Sequence, residues 1–331
     1  MVYSKEFVEI DGVKIFIENI NSYIAESYFL LYNHNKFNQY RLQKYIDQEK
    51  RKEYFNILIE AYLCNYNNIR EILSNIKNFS EVDEILDVIT NKGNVFNSTL
   101  KDYLYLQRDW CYYSEGERQI ESSVKTIKNS LPSGLKNALF IGCGAGRLAV
   151  EFSDIFDKIY ATDKSYSMIW HINKLLSEKR FEFYTPQEKN VYSLENVAQK
   201  HSAFIPEDLK NTIKEKVDFF VSDVLELPIE EESMDAIFSI YFTDVIALKL
   251  WFDQITGKLK EDGYFIHFGP LDYFFSDESE MLTAVEFKDF FEKNGYETIA
   301  DQILETSHLN DSNSFSYKVY RNWLYVARKV S

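Results

Sequence analysis

Three glycines at alternating positions, Gly142, Gly144 and Gly146, stand where an apolar run (138–141) gives way to a helical pattern. Nothing else in the chain limits its fold as strongly. Glycine is needed where backbone must turn sharply or approach a ligand without a Cβ in the way. A helix starting directly behind such a turn offers N–H groups that lack intrahelical partners. A second β-like run, 158–162, ends on Asp163. An acid at the tip of the next strand, about 20 residues on, suits the hydroxyls of a ribose. Strand, glycine turn, helix, strand and acid together outline a nucleoside pocket.

Two cofactor classes fit that outline, dinucleotides and S-adenosyl-L-methionine. A dinucleotide fingerprint G-x-G-x-x-G counted from Gly142 would place its third glycine at position 147, which is Arg147. Here the third glycine comes one residue earlier. The resulting G-x-G-x-G is common in class I methyltransferases, where no pyrophosphate has to rest on the helix N-terminus. A nicotinamide-dependent oxidoreductase is disfavoured on this ground.

Composition narrows the remaining classes. The chain has 331 residues, ample for a large core, and 45% hydrophobic with 16% aromatic content argues for a folded protein. A net charge of −15 argues against nucleic acid as a partner, because phosphate binding needs clustered Lys and Arg. No apolar run approaches the roughly 20 residues of a membrane span, and the first residues lack a signal-peptide apolar core. Cys64, Cys111 and Cys143 share no C-x-x-C spacing, so neither disulfides nor a metal site is expected. A reduced, cytoplasmic setting is the expectation.

Residues 1–135 read as a mostly helical region with helical periods over 51–65 and 69–79, after a short hairpin (7–10 and 13–17) around Asp11-Gly12. Its expected role is a cap or support. Pro132-Ser-Gly134 marks the junction with 136–331, where strands and helices alternate. Strands are expected at 138–141, 158–162, 217–222, 235–240, 263–268, 296–303 and 319–328. Helices are expected at 146–156, 165–176, 246–260 and 284–294, and an irregular polar insertion over about 177–215. Seven strands ending in two consecutive ones describe an α/β fold, the Rossmann-like sheet of class I methyltransferases. Ligands in such sheets sit at the carboxyl ends of strands. Asp163, Asp223, Asp244 and His267 all fall there. Asp163 and Asp244 are also placed where an acid would cap a helix, and Asp223 where one would close a turn.

Several short motifs occur in a fixed order: Arg108-Asp-Trp110, Gly116-Glu-Arg118, the glycine loop with Arg147-Leu148, Phe242-Thr-Asp244 and Gly269-Pro-Leu-Asp-Tyr273. In that order, over about residues 98–329, the chain resembles the carnosine N-methyltransferase (N2227-like) family. The resemblance extends into the insertion through Phe183-Tyr-Thr-Pro186, Asn196, Gln199 and Ile205-Pro-Glu-Asp208. It also accounts for Phe140, which stands two residues before Gly142 where most class I enzymes carry an acid. The family lacks that acid as well and uses the arginine of its R-D-W motif to hold the cofactor, here Arg108.

The resemblance implies methyl transfer from S-adenosyl-L-methionine to an imidazole nitrogen of a histidine-containing small molecule or peptide. A neutral imidazole has a lone pair to offer, and with a pKa near 6.5 the ring is largely neutral at cytosolic pH. The enzyme then has to orient the ring more than deprotonate it. Asp244 occupies the family's position for an acid that accepts the N–H of the other ring nitrogen. Tyr241, Tyr273 and Tyr320 match acceptor-pocket positions, and Asp223 falls near the adenine amino group. The family's histidine after Gly-Pro-Leu-x-Tyr is replaced by Phe274, while His267 stands where relatives carry asparagine and is the expected substitute. The expected catalytic set is Asp244, His267 and Tyr320. Methylation of an amine, carboxylate or hydroxyl, or a non-catalytic cofactor-binding role, are the alternatives. Oligomeric state is open, a homodimer included.

Overall fold

The chain begins with a hairpin, β1 (Val8–Ile10) and β2 (Val13–Ile15), turned at Asp11-Gly12. The computed structural model describes residues 2–18, 49–74 and 102–330, with positions 20, 23, 42 and 47. Helix α1 (Lys52–Ser74) follows, then α2 (Asp102–Trp110) and α3 (Ser114–Lys128). In α1, Tyr54, Leu58, Ala61, Tyr62, Asn65, Ile69 and Ile72 are buried, the three-and-four spacing of one helical face. The two helical periods expected over 51–65 and 69–79 thus form a single helix as far as Ser74. Positions 75–79 lie outside the described residues.

The alternating half begins with β3 (Asn137–Ile141), the short helix α4 (Arg147–Val150), β4 (Lys158–Asp163) and α5 (Tyr166–Ser177). The helix expected over 146–156 is regular only in its first turn, and tight turns carry the chain on from there. The insertion is not irregular. It folds into β5 (Phe181–Pro186) and β6 (Ala198–Ala203), an antiparallel pair, followed by α6 (Glu207–Lys216). Helix α1 closes the edge of that pair through Asn65, whose amide donates to Tyr184 O and accepts from Tyr184 N, both at 2.8 Å. Then come β7 (Val217–Val221), β8 (Met234–Ile240), α7 (Leu248–Lys258), β9 (Leu259–Gly269), α8 (Ala284–Lys293), β10 (Tyr296–His308) and β11 (Lys318–Lys329).

These strands form one sheet in the order β1-β2-β7-β4-β3-β8-β9-β11-β10. The run from β7 to β9 is parallel, and β11 pairs antiparallel with both neighbours. The seven expected strands are all present, and the N-terminal hairpin adds two more because β2 pairs parallel with β7. Both faces are covered. Ala138 and Phe140 of β3 join the core under α2, α3 and α5, while Leu139 and Ile141 join the core under α7 and α8. Strand order reverses at β3, with β4 on one side and β8 on the other, which opens a crevice beyond the carboxyl ends.

Candidate active site

A cavity of about 290 Å³ occupies that crevice. Its floor is the glycine loop. Gly142 (φ +62°) turns the chain out of β3 where a Cβ would strike the Phe242 ring at 2.3 Å. At Gly144 (φ +56°) a Cβ would meet nothing within 4 Å among the described residues, so the loop presents bare backbone to the cavity it lines. Gly146 does not line the cavity, since its Cα faces Phe219 and Ile172 at the base of the loop.

Asp163, at the end of β4, accepts from Gly144 N and Ser165 N, both at 2.8 Å. Burial raises its pKa, while those backbone donors pull it back down. Asp223, two residues beyond β7, accepts from Leu225 N at 3.0 Å and pairs with Lys164 at 3.0 Å. Both acids and Lys164 line the cavity, as do Tyr105 and Arg108 of α2.

Arg108 is only 4% exposed. Its Nε donates to Asp109 at 2.6 Å, and among the described residues neither terminal nitrogen has a protein acceptor. A buried guanidinium with its fork free toward a cavity calls for an anion. Bare glycine backbone, an acid at the end of β4 and this fork together fit a nucleoside carrying a carboxylate.

The short motifs that recur in order prove to be one assembly. Trp110 donates its indole N–H to Ala145 O at 2.7 Å, tying α2 to the glycine loop. Arg147 is buried against Glu117 and Glu151, at 3.3 and 2.5 Å, and stacks over Trp110 and Tyr112. Phe140, where an acid is usual, is stacked on Phe238 at 4.2 Å in the core.

On the far side of the cavity Tyr241 directly follows β8 and holds φ = +57°, a conformation seldom taken by a large side chain. It lines the cavity, and its hydroxyl is buried without a partner among the described residues. Asp244 follows, 3% exposed. Its Oδ2 accepts from Asp272 N at 3.1 Å, and no other residue described donates to Oδ1. Burial raises its pKa to about 6. Tyr320 meets Asp272 at 3.4 Å and also bonds Lys318. Asp244 and Tyr320 do not line the cavity itself, but both act electrostatically on Tyr105, which does. Tyr273 is committed to Leu282 O at 2.6 Å and lies outside the lining.

His267 departs from expectation. It is fully buried, and its ring packs by Phe287 and Trp323 on the face of the sheet under α8. Its Nδ1 meets Thr243 Oγ1 at 2.8 Å, and burial lowers its pKa to about 3. Residues 266 and 268 face the side of the sheet that Tyr241 joins, and 267 points the other way. It is not among the residues that line the cavity. His308 does approach this side, its ring 5.1 Å from Tyr241 and 4.8 Å from Tyr320. Sequence reading passed over it because no motif marks it.

The sheet order, with its antiparallel β11 inserted before β10, and the crevice over a glycine loop define a class I S-adenosyl-L-methionine-dependent methyltransferase. The chain belongs to the carnosine N-methyltransferase family, whose sequence profile matches residues 82–331. No individually curated protein matches it. Among solved structures it is similar to a SAM-dependent methyltransferase of Methanosarcina mazei (13% identity, 62% of this chain, 97% of that chain, TM-score 0.40). A SAM-dependent methyltransferase of Aquifex aeolicus is similar too (14%, 68% and 92%, TM-score 0.38). So is a protein of Pyrococcus horikoshii (14%, 70% and 100%, TM-score 0.44). Topology and family membership carry the assignment, and these distant likenesses add nothing to it.

Proposed function

We propose that this methyltransferase acts on an imidazole nitrogen of a histidine-containing small molecule or peptide, carnosine-like in chemistry. The observation that carries the reading is Asp244, a buried carboxylate just beyond β8 with one oxygen to which no other described residue donates. S-adenosyl-L-methionine, when bound, supplies an electrophilic methyl group. Arg108 would hold its carboxylate, Gly142 and Gly144 would let it approach the backbone, and Gly146 would seat the loop. Asp163 would take the ribose hydroxyls and Asp223 the adenine amino group.

On the acceptor side the free oxygen of Asp244 would accept the N–H of the ring nitrogen that does not react. That contact fixes the tautomer, aims the other nitrogen and favours the imidazolium that forms. Tyr241 and Tyr320 would wall the acceptor, with Tyr273 holding the loop behind them. His267 is left a positioning part, since it bonds Thr243, which in turn meets Ser239 at 2.7 Å and immediately precedes Asp244. In this reading residues 1–135 support 136–331 and deliver Arg108 to the cavity.

Incubation with labelled S-adenosyl-L-methionine and free histidine, histidine dipeptides, longer peptides or plain amines tests the reading. Label on an imidazole nitrogen is expected. Label on an amine, carboxylate or hydroxyl instead would replace imidazole as the nucleophile, and cofactor binding with no transfer to any acceptor would favour a non-catalytic role.

A further inference from the structure

The buried polar groups around Tyr241 leave one histidine without a part in the reaction. His308 closes β10, and its neighbour across the sheet is Lys318, next to Tyr320 in space. Its environment fixes which nitrogen carries the proton. Gln119 of α3 accepts the Leu309 N–H on Oε1 at 3.2 Å. A backbone N–H only donates, so Oε1 is the acceptor and Nε2 faces the histidine. That Nε2 lies 3.4 Å from His308 Nδ1. An amide nitrogen only donates in turn, so Nδ1 is the unprotonated nitrogen and the proton sits on Nε2. The His308 Nε2–H has no acceptor among the described residues, yet it is not one of the sealed polar atoms.

The surroundings favour an oxygen there. Burial and the positive charges of Arg108 and Lys318 hold the ring neutral, lowering its pKa to about 3. The same charges favour an electron-rich partner for the N–H. A further polar atom beside the ring, the Tyr241 hydroxyl, is buried without a partner among the described residues. Protein interiors rarely leave such groups unmade unless a ligand or water completes them.

We propose that His308 is a specificity-determining residue of the acceptor site: its Nε2–H donates to an oxygen of the acceptor molecule, a carboxylate or an amide carbonyl. The proposal rests on the acceptor site described above and adds what that site selects. His308 does a job separate from that of Asp244, which engages the ring being methylated. The family's histidine is missing at Phe274, and this histidine reaches the acceptor side from a different strand.

Steady-state kinetics with alanyl-histidine and with its C-terminal amide test this. His308→Phe keeps a ring against Tyr241 and Tyr320 but removes the N–H. The acceptor KM should rise about 10-fold or more, as expected for one hydrogen bond to a charged or strongly polar oxygen. Turnover and cofactor affinity should change little, and His308→Gln, which restores an N–H donor, should recover most of the loss. If the partner is a carboxylate, amidation raises the wild-type KM and the His308→Phe penalty shrinks with the amide. If it is the carbonyl, both substrates show the full penalty. Equal KM values for wild type and His308→Phe with both substrates would overturn the proposal.

Should wild type methylate an amine and no imidazole, the imidazole reading falls and the same comparison on that amine judges His308. A direct measurement needs no turnover: in ¹⁵N-histidine spectra His308 should show the Nε2–H tautomer, with a signal that moves as acceptor is titrated. A protonated Nδ1, or an Nε2 signal unmoved at saturating acceptor, would equally overturn it.

Discussion

Asp244 has an ordinary backbone contact on one oxygen and a second to which no other described residue donates, and that asymmetry makes its substitution informative. Asp244→Asn keeps an oxygen for Asp272 N–H while removing the charge. Turnover should fall on the order of 10²–10³-fold at unchanged cofactor affinity; a wild-type single-turnover rate would show that the acceptor is not held through its N–H. The pH dependence has a definite sign. With a pKa raised to about 6, the carboxylate is charged above that value and loses its charge as pH falls through it. Wild-type kcat should drop along that acid limb, and Asp244→Asn should be low throughout and keep only the limb set by protonation of the acceptor imidazole near 6.5. Arg108 is bidentate in form with its Nε already used, so a lysine cannot reproduce it. Arg108→Lys should weaken cofactor binding nearly as much as Arg108→Ala in a titration, whereas equal affinity in all three would make the arginine structural. Gly142, Gly144 and Asp163 were legible in the sequence because their constraints are local, a turn and the end of the next strand. His308 was not, because it depends on Gln119, far away in the chain. His267 misled for a different reason: β9 is apolar on both faces, so alternation gave no sign of which face looked toward the crevice.

Among elements, α2 joins sequence motif to site most directly. Trp110 is fully buried and its indole N–H holds Ala145 O at the heart of the glycine loop. Trp110→Phe leaves that carbonyl unpaired and opens space beside Arg147. A stability loss of about 1–3 kcal/mol is expected from the lost partner, with a further contribution from packing. Denaturant unfolding measures the first effect, and cofactor titration should show weaker binding although Trp110 is not one of the residues lining the cavity; unchanged affinity would mean the loop holds its shape without the tether. The parallel strands were readable as apolar runs between glycine turns. The β5–β6 hairpin was missed because its composition is polar, although Phe181-Glu-Phe-Tyr-Thr185 alternates buried and exposed positions with the period of a strand. Its covering helix, α1, comes from more than a hundred residues earlier, so no local signal could announce the pairing at Asn65.

For the whole molecule, histidine burial sets an acid limit on stability. His171 and His201 have pKa values lowered to about 4, and His267 and His308 to about 3, in each case mainly by burial. Unfolded, each would titrate near 6.5. Below that pH the unfolded chain binds protons that the folded one refuses, so this stability is present above 6.5 and lost as pH falls. Asp102 and Asp244, raised to about 6, work the other way: the folded chain takes up their protons first, which offsets part of the loss between about 6 and 4. Asp163 shifts in the same direction. Four histidines outweigh three carboxyls, and each net proton is worth about 1.4 kcal/mol per pH unit. Urea midpoints should therefore decline from pH 7.5 to 5.5, and a flat or rising profile would contradict the burial of these rings. The fold class, by contrast, was readable in the sequence, because the alternation of β and α leaves few ways to cover both faces of a sheet. One consequence of the tether between α2 and the glycine loop reaches beyond this chain. A chimera that transplants only the stretch from β3 onward would carry a floor without its clamp, so exchanging catalytic modules between relatives should succeed only when residues 102–128 travel with the sheet.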